Sequence, residues 1–155
     1  MFRSDVPTII EVNHNLSLEE MFEESKCNKG NLDYVLRHFS SVDGVGVDKL
    51  EAVLFFSERS VRTDQVLQCI RKGDLVNPWR EARIEHLLAF HSRCPLMCQQ
   101  VMIVALGSVV GGSIRGVPCL LGDDSFEGIL PITLDDENGW EPPYSFLAVR
   151  NLKVM

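Results

Sequence analysis

After Pro95 the apolar residues of this chain stop recurring at helical spacing and run in short bursts divided by glycine and proline. Bursts at 101–106, 117–121, 129–134 and 144–149 read as four strands. Gly111-Gly112, Gly122-Asp123-Asp124 and Asn138-Gly139 punctuate them, and Pro142-Pro143 precedes the last. Upstream of Pro95 most of the spacing is helical, so helices come first and a sheet after. That order predicts an α+β fold in which three or four helices cover one face of a small antiparallel or mixed sheet, with a loop-rich C-terminal β region.

The upstream elements follow from local signals. Thr8-Ile9-Ile10-Glu11-Val12 is short and β-branched, and reads as an edge strand. Ser17 with Glu20 three residues on forms a capping box, which starts a short helix ending near Asn28-Lys29-Gly30. Glu19, Glu20, Glu23 and Glu24 place negative charge near the positive end of its dipole. Asn31 caps a second helix whose inward stripe is Leu32, Val35, Leu36 and Phe39. Residues 42–47 hold two glycines and read as a loop, and 49–57 is apolar on both faces, which marks a central strand. Thr63 caps a third helix with Val66, Leu67 and Ile70 inward and Gly73 at its end. Asn77-Pro78 predicts the start of a fourth over 79–93, with Ile84, Leu87, Leu88 and His91 on one stripe and Pro95 as the stop.

The 155 residues suit a single domain over 1–155. No apolar run is long enough to span a bilayer, and Met1-Phe2-Arg3-Ser4-Asp5 lacks the apolar core of a secretory signal, so a cytoplasmic protein is expected. The net charge is −7, and the fifteen Lys and Arg are scattered, densest at Arg80, Arg83 and Arg93. That distribution argues against direct nucleic-acid binding, which needs a concentrated cationic surface. Five cysteines, an odd number, read as reduced thiols rather than a disulfide frame.

Four features carry possible chemistry. His91, Cys94 and Cys98, with Cys119 as a fourth donor, are the one tempting metal set, though the compact Cys-x2-Cys pairs of zinc modules are missing. Cys94 has Arg93 and His91 nearby, but a helix C-terminus disfavours a thiolate. Asp123, Asp124 and Glu127, and Asp135, Asp136 and Glu137, form two acidic turns without the ligand order of a calcium loop. Gly107 to Gly116 is glycine-rich but lacks the Lys-Ser/Thr of a phosphate loop. Trp79, Trp140 and Tyr144 are aromatic anchor candidates, and Trp140 either packs over the sheet or protrudes toward a partner.

Three pieces in order carry a resemblance: Glu85-His86-Leu87-Leu88-Ala89-Phe90 with Pro95 after it, Ile103-Val104-Ala105-Leu106-Gly107-Ser108, and Trp140 with Phe146-Leu147-Ala148-Val149-Arg150. Over the second half of the chain this resembles a group of small bacterial proteins with the same helix–strand–strand pattern. The resemblance implies no activity, cofactor or catalytic residue. A looser likeness is to C-type-lectin-like domains, whose paired cysteines have no clear counterpart here.

No nucleophile–base pair, phosphate loop or full metal signature sits on this frame. The favoured expectation is therefore a non-enzymatic, acidic binding protein without a cofactor, an inhibitor or regulator of a protein partner. Its contacts are expected at Trp140, Tyr144, Asp135, Asp136, Asp123 and Asp124. The alternatives are a small thiol- or metal-dependent enzyme built on His91, Cys94 and Cys98, and a lectin-like ligand-binding module.

Overall fold

The computed structural model describes residues 2–27, 32–39, 44–72, 76–95, 102–108, 116–122, 127–133 and 139–152. In chain order its elements are β1 (Phe2–Ser4), β2 (Thr8–Asn13), α1 (Leu18–Ser25), α2 (Leu32–Phe39), β3 (Val47–Ser57) and α3 (Thr63–Lys72). There follow β4 (Arg80–Glu81), α4 (Ile84–Arg93), β5 (Met102–Val104), β6 (Gly116–Gly122), β7 (Glu127–Thr133) and β8 (Tyr144–Asn151). The strands form one mixed eight-stranded sheet in the order β1-β3-β8-β5-β6-β7, with β2 also on β3 and β4 also on β8. This is the α+β architecture that the sequence predicts.

β8 is the spine of the sheet. It pairs antiparallel with β3 from Leu50↔Asn151 to Phe56↔Ser145. Its other edge meets β5 in parallel at residues 144–146 and β4 in antiparallel at Ala148 and Val149. Phe146 and Ala148 enter one core cluster, Leu147 and Val149 the other, and all four are buried. A strand apolar on both faces has to be covered on both.

α1, α2 and α4 build the first cluster, with Phe22, Val35, Ile84, Leu88 and Phe90 packed against Ile10, Leu50, Ile103 and Leu147. α3 sits on the opposite face, where Val66 and Ile70 meet Val53, Phe55, Val104, Phe146, Trp79 and Trp140. Three helices thus share one face as expected, and α3 covers the other.

Several local expectations hold. Ser17 Oγ accepts from Glu20 N–H at 3.1 Å while Glu20 Oε1 accepts from Ser17 N–H at 2.9 Å, completing the capping box. β2 has one strand neighbour among the described residues, β3. The helix from Ser17 is shorter than expected: α1 ends at Ser25, where Lys26 turns left-handed at φ 61°. Residues 28–31, Gly73, the 109–115 part of the glycine-rich turn and residues 123–126 and 134–138 lie outside the described residues.

Two expectations are corrected. Thr63 is the first residue of α3 rather than its cap; Arg62 holds that position, and its N–H donates to Gln65 Oε1 at 2.9 Å. The fourth helix does not begin at Asn77-Pro78. Asn77 Nδ2 donates to the Asn151 carbonyl at 2.9 Å, Arg80 and Glu81 pair with Val149 and Ala148 as β4, and α4 starts at Ile84. Trp79 belongs to one cluster and Ile84 to the other, so this segment must pass from one face of the sheet to the other. Pairing with β8 overrides the local helix signal.

Candidate functional site

The candidates from sequence separate in space. Trp140 is 4% exposed, its ring edge-on to Tyr144 at 5.0 Å and Phe146 at 5.6 Å, and its indole N–H donates to Thr63 Oγ1 at 3.0 Å. Of the two readings of Trp140, packing over the sheet is the one observed: both the face and the polar edge of this ring are used inside the core. Tyr144 is half-buried beside it, and burial pushes its phenol upward. Asp123, Asp124, Asp135 and Asp136 lie outside the described residues, as does Cys98.

The remaining donors of the metal set do not meet. His91 is buried, with Nδ1 2.8 Å from the Ser25 carbonyl, a geometry in which that nitrogen donates. Cys94 packs against the first core cluster, whereas Cys119 is part of the second, on the other side of the sheet. Donors to one ion must converge to about 2.0–2.3 Å, which a sheet between them forbids. Burial also pushes the Cys119 thiol up to about 12, away from thiolate chemistry. Among the described residues no three His, Cys, Asp or Glu side chains are placed to hold a metal ion. Trp79, the other indole, is buried against Phe55 with the Arg150 guanidinium 4.1 Å over its ring.

What the surface offers instead is a groove along the outer edge of β2. β2 alternates, with Ile10 and Val12 in the core and Ile9, Glu11 and Asn13 on the other face. Asn13 lies opposite Val47 and Glu11 opposite Lys49, so those two β3 residues share that outer face. Ile9 is 50% exposed and Val47 55%. Glu24 of α1, Ala89 and Arg93 of α4, and Leu152 complete a groove of about 770 Å³.

A smaller recess of about 50 Å³ runs inward from it between α1, α4 and β2, past Glu24, Ser25, Glu85 and Leu88. That is room for water and not for a metabolite, whose pockets take about 300–1,000 Å³. The wide groove has ample volume and its lining is mixed in charge: Glu11 and Glu24 stand with Lys49 and Arg93, and Lys49 Nζ lies 3.9 Å from Glu11. A strand edge without a strand partner among the described residues, two exposed aliphatic side chains and mixed charge suit an extended polypeptide better than a small molecule.

Ile9 is legible in the sequence as the apolar residue that breaks the in–out alternation of Thr8-Ile9-Ile10-Glu11-Val12. Val47 carries no such signal. No family model, curated protein or solved structure matches the chain. No helix among the described residues is long and apolar enough to cross a membrane.

Proposed function

We propose that this protein acts without catalysis, by binding a protein partner that lays an extended segment along the outer edge of β2, and so inhibits or regulates that partner. The observation that carries this reading is the edge of β2 that has no strand partner among the described residues, with Ile9 at one end and Val47 opposite Asn13 at the other. At about 3.3 Å per residue the span from Ile9 to Asn13 is about 13 Å, enough for four or five residues of a partner strand. Backbone N–H and C=O groups along such an edge provide affinity, while alternate side chains seat between Ile9, Val47 and the α4 wall. Glu11, Glu24, Lys49 and Arg93 form a charged rim that fixes orientation more than it adds affinity.

Photo-crosslinking residues placed singly at Ile9 and at Glu58, an exposed site at the far end of β3, test the reading in the native host. A discrete adduct from position 9, absent from position 58 and abolished by Val47→Lys, supports it. Adducts of equal yield at both positions, or none at position 9, overturn it.

A further inference from the structure

His86 lies in the first turn of α4, 5% exposed, where it closes the helix end in place of the usual Glu or Gln of a capping box. The Arg83 N–H donates to its Nδ1 at 2.8 Å, so Nδ1 carries the lone pair and the ring proton sits on Nε2. The same turn is tied to the chain after β5. The Ile84 N–H donates to Ser108 Oγ at 2.9 Å, and the Gly107 N–H donates to the Ala82 carbonyl at 2.8 Å. Ala82 in turn donates to the Leu147 carbonyl at 3.0 Å, which anchors the arrangement on β8.

We propose that this turn is an acid-operated latch, in which protonation of His86 releases residues 83–86 of the α4 start from the 107–108 segment. An imidazolium has two N–H donors and no acceptor, so it cannot receive the Arg83 N–H. Nor can the folded site accommodate its charge. Arg80 of β4, Arg83 at the turn and His14 after β2 all face it with positive or titratable charge. The helix N-terminus adds its own positive partial charge. The neighbouring acid, Glu85, is engaged with Arg83 at 3.4 Å, and Asp48 with His14 at 2.9 Å.

Burial first, then Arg80, Arg83 and His14, lower the His86 pKa in the folded state to about 3. The opened turn regains the ordinary value of about 6.5. The closed latch is therefore fully favoured above about pH 6.5 and weakens as the pH falls from there toward 3, because the open form binds the extra proton. Within that window the opening equilibrium rises about tenfold per pH unit.

Native-state hydrogen exchange on the full chain, corrected for intrinsic rates, tests this directly. Protection of the Arg83 and Ile84 amides should fall about tenfold per pH unit below pH 6.5 in the wild type. It should stay flat in His86→Gln, which keeps an acceptor at that position but does not titrate. The ring 15N shifts of His86 provide a readout that needs no variant. They should show an unprotonated Nδ1 at pH 7 that resists protonation well below pH 6 in the folded protein. Titration of the folded ring near 6.5 overturns the latch, and so does an equal pH dependence of protection in wild type and His86→Gln.

Discussion

The indole Nε1–H of Trp140 donates to Thr63 Oγ1 across 3.0 Å, joining the approach to β8 to the first turn of α3, 77 residues away in the chain. The bond lies beside a two-way backbone bridge: Val61 N–H donates to the Trp140 carbonyl at 2.9 Å and Trp140 N–H to the Val61 carbonyl at 2.6 Å. Thr63→Val keeps the shape of the side chain and removes the acceptor, leaving a buried indole N–H unsatisfied. That costs about 1–3 kcal/mol. Thr63→Ser retains the acceptor and should lose less. Urea unfolding of the two variants checks the order; equal stability would assign the effect to packing.

Three glycines separate two kinds of strain. At Gly107 a Cβ would stand 2.7 Å from the Ala82 carbonyl oxygen, with no unusual backbone angle. At Gly46 the φ is +75° but nothing lies within 4 Å, and Gly139 combines φ +74° with a contact of 2.7 Å to the Val61 carbonyl oxygen. Left-handed backbone costs a non-glycine residue about 1–2 kcal/mol, and a forced close contact about 1–3 kcal/mol. Alanine at 139 should therefore be the most damaging of the three by thermal denaturation. If alanine at 46 proves worse than at 139, the close approach to Val61 is not what constrains that turn.

Leu147 is fully buried at the middle of β8, opposite Leu54. Leu147→Ala should destabilise the protein by about 2–5 kcal/mol, a large part of the roughly 5–15 kcal/mol that holds a domain folded. A chain ending at Pro143 loses β8 altogether and leaves the inner edges of β3 and β5 without their partner, so it should show no cooperative melt. A cooperative transition within a few degrees of the full-length protein would remove β8 from its place as the spine.

The cysteines should divide by burial. Cys27 and Cys119 are buried, Cys69 and Cys94 half-buried, and burial raises the Cys69 and Cys119 thiols. Alkylation at pH 8, mapped by mass spectrometry, should label Cys94 well before Cys119, which should react only through unfolding. A Cys94 that reacts faster than a free thiol would instead favour the thiol-dependent enzyme. Labelling of native Cys119 at the rate of an unfolded chain would contradict its placement.

Some of this was legible because it depends on residues close together in the chain. The capping box of Ser17 and Glu20 needs four residues, and the inward stripes of α2 and α4 need two turns each. β8 was readable because Phe146, Leu147, Ala148 and Val149 are apolar in succession, which specifies burial on both faces whatever the partners are. The same stretch did not reveal that its neighbours would be β3 on one side and β4 with β5 on the other.

The candidate site was hardly legible, since its members matter only through what stands beside them. Trp140 is a core residue because Thr63 offers an acceptor and Phe146 and Tyr144 offer ring edges. Cys94 and Cys119 are divided because Cys94 ends α4, which covers one face of the sheet, while the Cys119 side chain on β6 enters the cluster on the other face. Asn77-Pro78 carries a genuine local helix signal, and β4 forms there because backbone pairing with β8 satisfies the same groups while letting the chain change faces. The sequence by itself determined the α+β class, most of the helices and strands and the two-faced burial of β8, since local hydrogen bonding and apolar period decide those, whereas β1 and β4 depend on pairing with β3 and β8. The tertiary structure alone decided which face each helix covers and that Ile9 and Val47 stay exposed beside β2, because exposure is set by the neighbours that reach a residue.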